Sequence, residues 1–218
     1  MEQLFTVGPH GAHAGLPLDV LASLTLLGIA PFVLVMTTSF VRIVVVLSLV
    51  RSAIGASSLP PNAVLTGIAL VLTFAIMTPT LQRISHDAIE PYGRGAISQT
   101  TMMARAFAPL RAFMLRQTHA KDLALFAGLA RTPSSLATAS PAVLVPAFVV
   151  GELRSAFAIG FALYLPFVAI DLAVASILMG LGMFMLSPPI ISLPCKLLLF
   201  VMVDGWALVC GGVVASFR

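Results

Sequence analysis

The chain has 218 residues, of which 59% are hydrophobic and only 9% are charged. Soluble domains are about a quarter charged, and the mean hydropathy here is +1.07, so this is an integral membrane protein. Its net charge of +4 is spread out and forms no basic block, which leaves nucleic-acid binding without support.

Residues 1–15 hold Glu2 but no Lys or Arg. A cleavable signal opens with basic residues, so insertion is expected to rely on the first apolar segment, residues 16–49. About 20 apolar residues span a bilayer. Pro31 lies inside this segment and Arg42 near its end, which predicts a kinked or broken helix. The second segment covers residues 61–81 and starts after a Pro60-Pro61-Asn62 turn. Residues 16–82 are therefore expected to form a first hydrophobic hairpin.

Residues 83–145 are the polar part. Phe107, Leu110 and Met114 recur at helical spacing, and Leu123, Phe126 and Leu129 repeat the pattern. Two amphipathic helices are predicted, residues 99–118 and 121–130, then a Pro/Ser/Thr-rich loop at 132–141. The third apolar segment starts near residue 146 and runs to 186, too long for one simple span, and Pro166 is expected to interrupt it. Ser187-Pro188-Pro189 separates it from the fourth, residues 189–217. These last two should form an antiparallel hairpin over residues 146–218. Cys195 and Cys210 lie in that last segment and read as small hydrophobes.

Arg42 and Arg51 flank the first loop, and short loops weigh most in the positive-inside rule. That puts the first loop inside, and the N-terminus, middle region and C-terminus outside. The whole chain reads as one all-α membrane unit of about four long, kinked helices plus an amphipathic middle.

Catalytic signatures are missing: no H-E-x-x-H, G-x-S-x-G or phosphate-cradling loop occurs. His10 and His13 sit in a Gly/Pro-rich terminus. His86 and His119 have no obvious carboxylate partner. The chain reads as a non-enzyme without metal or cofactor.

The buried charges are more informative. Asp171, Lys196 and Asp204 lie in apolar sequence, where charges are expensive unless paired or hydrated. They form either an ion relay or structural pairs, and pairing is favoured. Asp204 follows Lys196 by eight residues, which on one helix would place both on one face. Glu152 and Arg154 are two apart and point to different faces, so each needs its own partner. Arg42, Lys121 and Asp122 complete the charges taken as buried or assembly contacts. Met179, Gly180, Gly182, Met183, Phe184 and Met185 form a soft, apolar cluster. It is core packing within one subunit; in a ring of subunits it would make a constriction that excludes water.

Five runs closely resemble one family: PFVLVMTTSFVRIVVVLSLVRSAIG (31–55), PPNAVLTGIALVLTFAIMTP (60–79), LRAFMLRQTHAKDLALF (110–126), VPAFVVGELRSAFAIGF (145–161) and IDLAVASILMGLGMFMLSPPIISLPCKLLLFVMVDGW (170–206). It is the FliP/SctR family of the bacterial type III secretion export apparatus. The resemblance implies a homo-pentamer within a hetero-oligomer with the S/Q and T/R components. The U/B switch protein, the V/A export-gate protein and the basal-body rings would be neighbours. The assembly would be an inner-membrane pore for unfolded secreted proteins, with much of its mass at the periplasmic face. It also implies a methionine-rich gasket, matched here by Met183, Phe184 and Met185, with Phe in place of the middle Met. Met-Leu-Ser-Pro at 185–188 resembles the injectisome branch, since flagellar members tend to have Pro where Ser187 stands and commonly begin with a cleavable signal. The competing expectation is a small-solute channel or secondary transporter that uses Asp171 and Asp204.

Overall fold

The computed structural model describes residues 18–56, 59–131 and 139–217. His10, His13 and most of the loop at 132–141 lie outside them. The chain divides into two compact units, residues 1–34 and 35–218. Every regular element among the described residues is helical.

Helix α1 covers Leu18–Thr37 and carries Pro31 within it. The predicted break therefore falls later than proline suggested, at Thr38 and Ser39, before α2 begins at Phe40. In the first unit, Leu24, Ile29, Phe32, Val33 and Leu34 are exposed and apolar.

The second unit is built around α2, Phe40–Ile54. Arg42, Ile43, Val46, Leu47, Val50, Ala53 and Ile54 are buried along one stripe of it. Their alternating spacing of three and four is that of a helix packed on neighbours. Gly55 closes the helix in the left-handed region, φ 85°, with its N–H bonded to the Ser52 carbonyl. Helix α3, Asn62–Ile84, packs back on α2. It runs on through a π-helical turn, Ser85–Ile89, into the short α4, Glu90–Gly93. Pro91 has no N–H to offer the Asp87 carbonyl, and its ring crowds that carbonyl. A widened turn is one way a helix absorbs this.

The amphipathic pair is α5, Gln99–Gln117, and α6, Ala120–Leu129. Both pack on α7 of the same chain, and α5 also on α3. Their apolar faces close a second core of Met77, Phe113, Met114, Leu123, Val143, Leu144, Ala147 and Phe148.

Helix α7 is continuous from Pro141 to Gly180, 40 residues. The expected interruption at Pro166 does not occur, and Pro146 is likewise inside the helix. At about 1.5 Å per residue it reaches about 60 Å, twice the roughly 30 Å hydrocarbon layer. Only part of it can lie in lipid at one time. Helices α8, Pro188–Met202, and α9, Gly205–Ala215, meet at a 64° bend. The bend falls at Val203 and Asp204, and Asp204 has φ 49°. Lys196 and Asp204 therefore do not share a helix face, because the helix that would align them ends at Met202. Gly205 is needed at the bend: a Cβ there would run into the Phe200 ring. Phe200 stands edge-on to Trp206, ring centroids 5.2 Å apart, and belongs to the first core with Phe167, Val209 and Val213.

Among the described residues two helical runs, Asn62–Gly93 and Pro141–Gly180, are long and apolar enough to cross a membrane. The number rises to four if each of two bent pairs counts as one span. This is an all-α membrane protein, with α2 enclosed by α3, α7, α8 and α9 of its own chain.

The close approach of α2 and α7 supplies a direct check. A Cβ at Gly160 would meet the Leu49 side chain, 3.0 Å from its Cβ and nearer still to Cδ1. Gly160→Ala should cost about 1–3 kcal/mol by overpacking, seen as a lower thermal midpoint in detergent. Gly67→Ala, with open space at its Cβ, should be neutral or slightly stabilising.

Candidate functional site

The charges expected to be buried sort into three internal groups. Arg42 is 3% exposed and Glu152 fully buried. The guanidinium binds the carboxylate in a fork: Nε donates to Oε2 at 2.8 Å and Nη2 to Oε1 at 2.5 Å. Nη2 also donates to Gln117 Oε1 at 3.2 Å, and Nη1 to the Ser216 carbonyl and hydroxyl, both at 3.0 Å. All five guanidinium N–H groups thus have acceptors. The Phe217 ring lies under the same group, 3.8 Å from Cζ, and stacks on Phe113. One cation therefore gathers α2, α5, α7 and the C-terminal turn.

The second group joins α6 to α7. Arg154 Nη1 and Nη2 donate to Asp122 Oδ2 and Oδ1 at 2.7 and 2.6 Å. Asp122 is buried in the first turn of α6, where a negative charge suits the helix dipole. Arg154 is partly exposed, so solvent screens this pair more than that at Arg42. Glu152 and Arg154 do have separate partners, as their spacing requires.

The third group closes the α7–α8 hairpin onto α2. Lys196 Nζ donates to Asp171 Oδ2 at 2.6 Å and to the Ala53 carbonyl at 3.3 Å. Ser192 Oγ donates to Asp171 Oδ1 at 2.6 Å. Ser192 and Lys196 are four apart on α8, so both reach one carboxylate. Asp171 thus takes part in a charge-paired, hydrogen-bonded clamp rather than standing free.

Lys121 and Asp204 are exposed and stand outside these groups. The histidines differ from expectation: His86 Nδ1 is 2.8 Å from Asp87 Oδ1, and His119 Nδ1 is 3.9 Å from Asp122 Oδ2. Both carboxylates are close in sequence and were available as signals. Among the described residues no cluster of three or more His, Cys, Asp or Glu could hold a metal ion.

The Met/Gly cluster forms the hairpin tip. Helix α7 ends in a Schellman closure: the Met183 N–H bonds the Leu178 carbonyl at 2.9 Å and the Gly182 N–H that of Met179 at 3.1 Å. Gly182 supplies the left-handed φ of 73° that this closure needs. Helix α8 then starts on Pro188 and Pro189, whose missing N–H groups cost nothing in a first turn. Between them Met183, Phe184 and Met185 are 43%, 78% and 101% exposed. They are not packed into the core of their own chain.

Such a chain, with charges neutralised inside and apolar side chains turned outward, is a membrane subunit made to be covered by lipid or by other subunits. Residues 23–213 match the FliP family. The flagellar biosynthetic protein FliP of Pectobacterium carotovorum subsp. carotovorum is 49% identical over 212 residues, 96% of this chain and 82% of that protein. The protein of the same name from Bacillus subtilis is 46% identical over 200 residues, 91% of this chain and 90% of its own length. That from Caulobacter vibrioides is 46% identical over 213 residues, 95% of this chain and 80% of its own length. The chain belongs to the FliP family.

The fork at Arg42 makes a quantitative prediction. Glu152→Gln or Arg42→Met leaves one buried charge unpaired and should cost about 3–5 kcal/mol. The double variant Arg42→Met with Glu152→Leu should cost less than the sum of its singles. A double-mutant cycle on thermal or denaturant unfolding in detergent measures the difference.

Proposed function

We propose that this chain is a core subunit of the type III export gate, forming an inner-membrane pore through which unfolded proteins leave the cell. One observation carries the reading: the outward-turned Met183-Phe184-Met185 tip at the end of a 40-residue helix. Apolar side chains from several copies, brought together on one axis, would exclude water and ions. Phe184 makes the seal bulkier and stiffer at its centre than Met would. Family membership over residues 23–213 supports the same reading.

In this account the chain forms a homo-pentamer within a hetero-oligomer containing the S/Q and T/R components. The U/B and V/A proteins and the basal-body rings surround it, and much of the mass faces the periplasm. The Arg42, Asp122 and Asp171 clamps would hold each subunit in the shape that the assembly needs. The subunit would do no chemistry of its own. On the branch, the Met-Leu-Ser-Pro run suggested an injectisome. Relatives at 46–49% identity are named as flagellar biosynthetic proteins, and we favour the flagellar branch on that ground. A solute relay through Asp171 is disfavoured by its engagement with Lys196 and Ser192.

Replacing Met183, Phe184 and Met185 together by Gly should leave assembly intact and raise leakage of small solutes through the purified, reconstituted complex. If the variant assembles and leaks no more than the parent, the tip is not the seal. Restored motility in a strain lacking its own FliP would support the flagellar branch, and restored effector secretion alone would support the injectisome.

A further inference from the structure

Six acidic side chains lie among the residues whose surroundings are described. Four have a cation in the same chain: Glu90 with Arg94, Asp122 with Arg154, Glu152 with Arg42, and Asp171 with Lys196; a fifth, Asp87, lies 2.8 Å from the His86 ring nitrogen. Asp204 has no such partner among the described residues, and it is exposed. Its side chain makes no capping bond to α9 either. The surface around it is apolar: Val201, Met202, Val203 and Leu208 are all exposed, Met202 to 75%.

We infer that Asp204 is an intersubunit ion-pair residue, docking on a Lys or Arg side chain that a neighbouring subunit carries on an otherwise apolar face. This rests on the export-gate reading and goes further, because it separates the acid that joins subunits from the acids that hold one subunit together. The charge is the reason. The patch would be buried by lipid or by a neighbour, and a bare carboxylate is costly in either. The dipole at the start of α9 offsets only a fraction of that cost. Backbone geometry does not require the charge: Asn enters the left-handed region as readily as Asp does. A cation from another chain neutralises the carboxylate and fixes the register of the apolar patch around it.

Asp204→Asn is therefore the cleanest probe, since it keeps the backbone and removes only the charge. The chain is co-expressed with the S/Q and T/R components, and the complex is measured by native mass. The full-length chain alone is melted in detergent. Asp204→Asn should lower the yield of complex at least about tenfold and leave the melt of the lone chain unchanged, while Asp204→Glu restores much of the assembly. The inference is overturned if Asp204→Asn assembles like the parent, whether or not export is then lost. It is also overturned if Asp204→Asn destabilises the lone chain as much as it depletes the complex, which would make the charge an internal one. Failure of the parent chain itself to assemble sinks the export-gate reading, a result distinct from failure of the variant alone.

Discussion

The arrangement depends on one buried fork, Arg42 with Glu152. The two residues are 110 positions apart, on α2 and α7, and both are almost completely shielded from solvent. A carboxylate at a fully buried site is tolerable only if its charge is met and its lone pairs are used. The guanidinium does this and spends its remaining N–H groups on Gln117 and Ser216. Its face also holds the Phe217 ring, which packs against both apolar cores. The fork thus sets the relation of α2, α5, α7 and the C-terminal turn. To the apolar packing it adds a penalty on any arrangement that leaves one of the two buried charges unmet.

The other two clamps extend the same logic outward. Asp122 with Arg154 pins the amphipathic α6 on α7. Asp171 with Ser192 and Lys196 pins α8 on α7 and reaches the end of α2 through the Ala53 carbonyl. Once these charges are satisfied inside, what the subunit offers to its surroundings is mostly apolar: the outer face of α7, the tip at 183–185, and the patch beside Asp204. A subunit of this kind is specified internally by polar contacts and externally by apolar ones. That suits a piece of a larger membrane assembly, where lipid or neighbours supply the remaining burial.

Much of this was legible in the sequence. Composition established the membrane class, and the helically spaced apolar residues of α5 and α6 marked the amphipathic pair to within a residue or two. The tip was visible from Gly182, the adjoining methionines and Ser187-Pro188-Pro189, because Schellman closures and proline-started helices have local signatures. Three things were not legible. Pro31 and Pro166 looked like breaks but lie within continuous helices, since a proline removes only one backbone bond of the helix. The true breaks fall at Thr38-Ser39 and Val203-Asp204, where residues able to leave the helical region coincide with tertiary demands such as the Phe200 ring over Gly205. The pairings Arg42–Glu152 and Asp122–Arg154 span 110 and 32 residues, and no local periodicity encodes a partner so distant. Apolarity was also ambiguous in kind: α2 reads like a membrane span yet is enclosed by its own chain.

If the export-gate reading holds, tips from several copies meet on one axis to close a pore. Cysteine cross-linking at the tip tests it most directly. In a Cys195→Ser, Cys210→Ser background, Phe184→Cys in the assembled complex should oxidise rapidly to disulfide-linked dimers of this chain. Failure to cross-link, together with labelling of residue 184 by a lipid-phase probe in the intact complex, would place the tips in the membrane rather than at a shared gate and contradict the account.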